Sequence, residues 1–362
     1  MMKRMVILII SGVFTSLILF SCNGDFLGEQ SKPKARGEPG EIVLVLDSAR
    51  WNGETGSALR KVFHESVDGL PRDEPMFNLR HITPFQFKGI LKNAKNLILV
   101  VPINDRQNES VRMRNFFTTD ALDSMRENED IFLIARKNLF ATNQNVLFLI
   151  GHTNDQLVQG IVKNTDRLRS YFNKIEEDRA YDRLYNVRTE RLIMNNLEEK
   201  YGFRLMVPFG WKIADEKETF VWIRQPTEQI DKNIFVAFKP YYDESQFADD
   251  SLIHWRNELG KKYIYEDPEN EISYMITEPE ITPTITEVNF NGNYAKKMIG
   301  RWKTRNVSMG GPFVSYALVD ESKGRMYYIE GFLFSPGVDQ RELVRELDVI
   351  LKTFEIVSES KS

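Results

Sequence analysis

Four histidines, one cysteine and one tight cluster of polar residues are what this 362-residue chain offers for chemistry. His64, His81, His152 and His254 stand apart from one another, with no HxxxH or HExxH spacing to set two on one helix face as zinc ligands. A single cysteine, Cys22, cannot complete such a site. No DxDxDG loop offers the oxygen ligands of calcium. Neither a GxGxxG turn nor a Walker loop is present to cradle phosphate, and there is no GxSxG nucleophile elbow. No cofactor and no metal are therefore expected. The cluster is Asp47, Arg50, Trp51 and Asn52, placed where an apolar run hands over to a helix. Ligands of open α/β sheets bind beyond the carboxyl ends of strands. An aspartate for a donor, an arginine for an anion and an indole for stacking would suit a sugar, a peptide or a partner loop. The same residues also suit a helix start, with Asn52 as cap, Asp47–Arg50 as a local pair and Trp51 covering the core edge.

Cys22 has its own context. Lys3 and Arg4 open the chain, residues 5–20 hold no charge, and Leu19-Phe20-Ser21 lead directly into the cysteine. This arrangement resembles a bacterial lipobox. The resemblance implies a signal peptide over residues 1–21, cleavage before Cys22, diacylation of its thiol and acylation of the new amine. The membrane is then a partner through Cys22, each buried methylene contributing about 0.8 kcal/mol. Asn23 stands where an aspartate would resemble an inner-membrane retention signal, and no dense acidic run resembles a surface-export tag. The expected place is the cell envelope, on the outer membrane facing the periplasm.

Hydrophobic residues at 42% and aromatics at 12% suffice for packed cores. The formal charge of −4 becomes −6 on cleavage, because the lost segment carries Lys3 and Arg4 and no acid. Nucleic acid is excluded as a partner, since phosphate neutralisation needs a clustered basic surface. By the same balance, acyl chains rather than a polybasic patch would hold the protein to lipid.

The elements that must position these residues fall into two halves, α+β overall. Residues 22–40 are rich in Gly, Pro and charge, which predicts a flexible tether. An α/β domain is expected over 41–153: buried strands at Ile42–Leu46 and Asn96–Ile103, a helix through Leu59 and Phe63, and a strand pair at 130–141 and 145–151. Residues 154–201 contain no proline, and Leu157, Ile161, Leu168, Phe172 and Ile175 keep helical spacing. They predict a long helix, bent near 178–182, that bridges the halves. An antiparallel sheet with covering helices is expected over 202–356, its clearest hairpin turning at Asn291-Gly292. A disordered tail over 357–362 closes the chain.

Arg50-Trp51-Asn52-Gly53 after Ala35–Asp47, then Gly69-Leu70-Pro71, Glu74-Pro75 and Tyr201-Gly202-Phe203 entering Val207-Pro208, resemble a family of Bacteroidota lipoproteins, domain of unknown function 4837. The resemblance runs from near Arg36 to near Ile356 and carries no activity with it. In outline, residues 202–356 also resemble PsbP and Mog1 type domains, which implies a role assisting other proteins. Two function classes follow: a non-catalytic envelope lipoprotein that binds a partner protein or envelope polymer, and an envelope hydrolase whose site assembles only in the fold. A histidine within reach of a paired carboxylate in a deep cleft would favour the second.

Overall fold

The computed structural model describes residues 32–265, 273–306 and 309–357. Cys22 and the expected signal peptide lie outside these residues, as do the last five of the tail. Among the described residues no helix is long and apolar enough to cross a membrane.

The first half holds strands β1 (Glu41–Val45), β2 (Asn78–Ile82), β3 (Asn96–Pro102), β4 (Leu133–Lys137) and β5 (Asn145–Gly151). Its helices are α1 (Ser48–Asn52), α2 (Glu54–Phe63), α3 (Asn108–Arg114), α4 (Thr119–Glu127), α5 (Asn154–Lys163) and α6 (Thr165–Tyr185). The strands form one sheet in the order β2-β1-β3-β5-β4, parallel except for β4. The continuous apolar runs of β1, β3 and β5 are explained by burial on both faces. Ile42 and Leu44 meet Leu59, Phe63, Leu157 and Phe172 on one side, while Val43 and Val45 meet Phe87, Met113 and Phe148 on the other. The half is thus three layers deep. Helices α3 and α4, which supply the second face, fall in a stretch whose apolar spacing is too sparse to announce them.

The second half contains α7 (Arg191–Asn196), β6 (Phe203–Arg204), β7 (Lys212–Glu216), β8 (Phe220–Pro226), β9 (Asp231–Pro240) and α8 (Asp249–Tyr263). It continues through β10 (Met275–Thr277), β11 (Thr284–Phe290), β12 (Asn293–Thr304), β13 (Gly310–Asp320), β14 (Arg325–Phe334), α9 (Arg341–Leu351) and β15 (Glu355–Ile356). Strands β7 to β14 make an antiparallel sheet in the order β10-β12-β13-β14-β9-β8-β7, with β11 also on β12. Helix α9 covers one face through Leu347, Ile350 and Leu351. Helix α8 covers the other through Leu252 and Leu259.

Three expectations need correction. Residues 32–40 are no tether: Ala35 is buried, its N–H donates to the Thr142 carbonyl (2.9 Å), and Arg36 N–H donates to Asn93 (2.8 Å). Backbone pairing with a sheet margin orders a segment that its own side chains could not. The long helical stretch does not bend at 178–182, where α6 is continuous, but breaks at Asn164 and again over 186–190. Asn164 turns its side-chain amide back onto the Gly160 carbonyl (2.8 Å), which competes with helix continuation. Helix α6, about 32 Å long, does join the halves, with Leu168 and Phe172 in the first core and Leu184 against the second. Val357, placed in the tail, donates its N–H to the Gly202 carbonyl (3.1 Å).

The halves are also bolted directly. The buried carboxylate of Glu74 accepts from the N–H groups of Gln340 (2.7 Å) and Arg341 (2.9 Å), capping α9 from the other half. The carboxylate thus gives acceptors to two of the N–H donors that a helix start leaves unpaired.

Candidate functional site

Asp47 stands at the carboxyl end of β1 and caps α1, its Oδ1 accepting from Arg50 N–H (2.9 Å). Arg50 then spans two carboxylates, Asp47 Oδ2 at 2.6 Å and Asp105 Oδ2 at 2.7 Å. Ser110 Oγ donates to the same Asp105 oxygen (2.8 Å). Asp105 follows β3, the neighbour of β1, so the three charges close the crevice where the strand order reverses. Burial alone would lower the pKa of Arg50, but the two carboxylates outweigh it and raise it. Burial likewise pushes Asp105 up, and the N–H of Gln107, the Arg50 guanidinium and the Ser110 hydroxyl bring it below its ordinary value.

Trp51 is half-buried and stacked on His81, ring centroids 4.8 Å apart and planes 9° from parallel. The Arg60 guanidinium lies 4.5 Å from the indole. His81 Nε2–H donates to the Leu46 carbonyl (2.9 Å), which fixes the ring beneath the tryptophan. Asn52 is exposed and ends α1, which Asp47 caps; the helix through Leu59 and Phe63 is α2, and its cap position is held by Gly53 rather than Asn52, with no side-chain cap. The structure brings Asp47, Arg50 and Trp51 together and leaves Asn52 outside. Arg50 is consumed by two acids and has no charge left for an anion. Trp51→Ala is expected to cost about 2–3 kcal/mol, less than a fully buried indole would. Thermal melts of the variant check this, and an unchanged melting temperature would mean that the indole supports nothing beneath it.

The remaining histidines are committed to a backbone carbonyl or exposed. His152 Nε2 lies 2.7 Å from the Met125 carbonyl, and its Nδ1 is 4.0 Å from the exposed Glu129. His64 and His254 are exposed. Among the described residues no group of three or more His, Cys, Asp or Glu could hold a metal ion.

A cleft of about 1030 Å³ lies in the second half instead. Its walls come from four segments: the 241–248 stretch between β9 and α8, the β11–β12 hairpin, the end of β13 with the turn to β14, and Ile356 of β15. The hairpin forms because Asn291 and Gly292 both adopt positive φ, 51° and 91°, as a tight two-residue turn requires. That turn sends Tyr294 into the cleft opening, 53% exposed, edge-on to Phe247 at 5.6 Å. Tyr241 continues the aromatic wall 6.2 Å from Phe247. Glu244, Glu287, Asp320 and Glu321 ring these aromatics. Lys296, the cation in the lining, is held by Asp249 (2.5 Å). The Tyr294 hydroxyl donates to Glu287 Oε1 (3.2 Å), and burial together with that carboxylate raises its pKa. Asp320 Oδ1 accepts from Ser322 and Lys323 N–H, while its buried Oδ2 has no donor among the described residues. The walls can thus accept hydrogen bonds and attract positive charge.

Residues 190–353 match the model of DUF4837, a domain of unknown function. Residues 35–185 match a separate one, DUF8532, also of unknown function. The resemblance drawn from the sequence is therefore placed in the DUF4837 half, and the Arg50-Trp51-Asn52-Gly53 and Glu74-Pro75 motifs fall in the other match. The cleft lies largely within the DUF4837 half. No curated protein matches the chain. Solved structures similar in part include an E65A mutant of Mog1, at 9% identity and TM-score 0.30 over 44% of this chain and 92% of that one. The Saccharomyces cerevisiae Ran-binding protein Mog1p is similar at 10% identity and TM-score 0.29, over 43% and 90%. The lipid transfer and protein localization domain of human StarD13 is similar at 10% and 0.20, over 44% and 95%.

Proposed function

We propose that this chain is a non-catalytic binding protein of the cell envelope. It is held at the membrane through acylated Cys22 and captures a cationic segment of a partner protein in the cleft of its second half. The observation that carries this reading is the make-up of the cleft walls, in which Tyr241, Phe247 and Tyr294 stand among four carboxylates. Aromatic faces attract ammonium and guanidinium groups by about 0.5–2 kcal/mol each, and carboxylates supply complementary acceptors. A neutral polysaccharide would use the rings but not the acids. A hydrolase would need a base within hydrogen-bond reach of its acid partner. Among the described residues, the histidine–carboxylate pair within 4.0 Å is His152 with Glu129, and it lies in the other half. The anchoring is supported by the likeness of the amino terminus, Lys3 and Arg4 through the uncharged run to Ser21-Cys22, to a bacterial lipobox.

Affinity purification from detergent-solubilised envelopes is expected to recover a partner with the native chain. The Tyr294→Ala/Glu287→Lys variant should lose it, with the melting temperature nearly unchanged. Equal recovery by both would remove the cleft from the reading. Fatty-acid label that persists in Cys22→Ala would end the anchoring.

A further inference from the structure

The order found at residues 32–40 shortens the link to the lipid. Ten Cα-to-Cα steps lead from Cys22 to Lys32, and fully extended they reach about 35 Å. Any membrane that holds Cys22 therefore lies near the place where the described chain begins. That place is the amino edge of the first sheet. Lys32 Nζ donates to the Asn138 carbonyl (2.9 Å), residue 34 bridges Thr142, and Lys95 N–H donates to the Arg36 carbonyl (3.0 Å). At the same edge Lys137, the last residue of β4, pairs with Asn145, the first of β5.

Lys32, Lys34, Arg36, Lys95, Arg136 and Lys137 thus share one edge, drawn from three separated segments. Among the described residues none of the six forms an ion pair. Among the described residues the acids nearest in sequence are Glu38, which is exposed, and Glu41, which lies 4.0 Å from Arg80. Glu176, which accepts from Asn96 beside Lys95, is buried and paired with Arg179 (2.6 Å). The segment leading into β3 adds Ile90, 67% exposed, with Phe85 earlier in the same segment at 53%. In a chain of net negative charge, unpaired cations collected on one edge call for an anionic counter-surface.

We propose that this edge rests on an anionic phospholipid surface, so that the first half lies against the bilayer rather than standing off from it. The occupant follows from the reading of Cys22 as the lipid attachment, together with the short reach from Lys32 and the sign of the charges. Each cation near an anionic leaflet strengthens association by about fivefold, and salt weakens it.

The test uses the mature chain from residue 22. With Cys22→Ser, and so without acyl chains, it should sediment with phosphatidylcholine vesicles containing phosphatidylglycerol and not with phosphatidylcholine alone. The Lys34→Glu/Arg36→Glu/Lys137→Glu variant should bind at least about tenfold more weakly. Equal binding to both vesicles, or no loss in the variant, overturns the proposal. In the acylated chain Cys22 is blocked, so Lys137→Cys and Asn108→Cys each carry a fluorophore at one position. Asn108 lies beyond the carboxyl end of β3, on the opposite edge. Nitroxide on lipid headgroups should quench the label at 137 and spare the one at 108, and equal quenching overturns the proposed orientation. A Cys22 found unacylated while the soluble chain still binds phosphatidylglycerol vesicles would remove the lipoprotein reading alone.

Discussion

Glu330→Ala is expected to destabilise the second half by about 3–5 kcal/mol, because it strands a guanidinium in the core. Arg256 on α8 and Glu330 on β14 are both 0% exposed. Their contact is two-pronged, Nε to Oε2 at 2.8 Å and Nη2 to Oε1 at 2.7 Å. Arg256 Nη1 donates to Thr277 Oγ1 (3.1 Å), and its guanidinium sits 3.9 Å from the centre of the Phe313 ring. Tyr328 completes the set, its hydroxyl 2.7 Å from Glu330 Oε2 and 3.0 Å from Ser315 Oγ. Replacing one partner leaves the other charged, dry and unpaired. Replacing both with apolar residues, Arg256→Met/Glu330→Leu, removes the desolvation cost along with the attraction and should be far milder than either single change. Urea unfolding of the two single variants and the double variant measures the coupling. A Glu330→Ala loss below about 1 kcal/mol would mean that water reaches the pair. The pair also matters to the cleft, since α8 starts at Asp249, immediately after Phe247 and Ala248 in its wall.

Acid should loosen the contact between α9 and its sheet in a defined window. Burial by itself would raise the pKa of Asp348. The charges of Lys297 (3.1 Å) and Lys352 (3.0 Å) and the Tyr316 hydroxyl (2.6 Å) outweigh it and hold the carboxyl at about 2. A folded-state pKa below the ordinary 3.8 means that the unfolded chain binds the proton more readily. The resulting stability, about 2–3 kcal/mol, is complete above pH 4–5 and is lost as pH falls through the folded value near 2. Asp348→Asn should forfeit that stability at neutral pH and show a flatter acid limb. Parallel acid titrations of both proteins check it, and superimposable limbs would refute the assignment. Lys352 also reaches Glu177 on α6 (2.8 Å), so protonation acts on the junction of the halves as well.

Local pattern fixed a great deal here. Runs such as Ile42–Leu46 and Asn96–Ile103 announced strands buried on both faces, because nothing polar interrupts them. Asn291-Gly292 announced its hairpin, because the two residues tolerate the positive φ that the turn demands. The division into a parallel α/β half and an antiparallel half followed from continuous versus alternating apolar runs. The charge cluster after β1 was visible as a set of residue types, though not the commitment of Arg50 to Asp105, which lies 55 positions away.

What pattern could not reach were arrangements made between distant segments. On α8, Leu252, Ile253, Trp255 and Leu259 carry the apolar side chains at helical spacing, yet the fold turns Arg256 inward and leaves Trp255 half-buried. A partner 74 residues on makes a charge tolerable in the core, and no local rule announces that partner. The cleft has the same character, since Phe247, Tyr294 and Asp320 become one wall only when β11, β12, β13 and β14 align in register. The basic edge was hidden for a related reason: the sequence yields net charge, which is a sum, whereas the fold sets which cations are neighbours. Residues 32–40 were misread because composition reports what a segment can bury by itself. The sheet margin beside it decided otherwise, by offering backbone partners at Asn93 and Thr142.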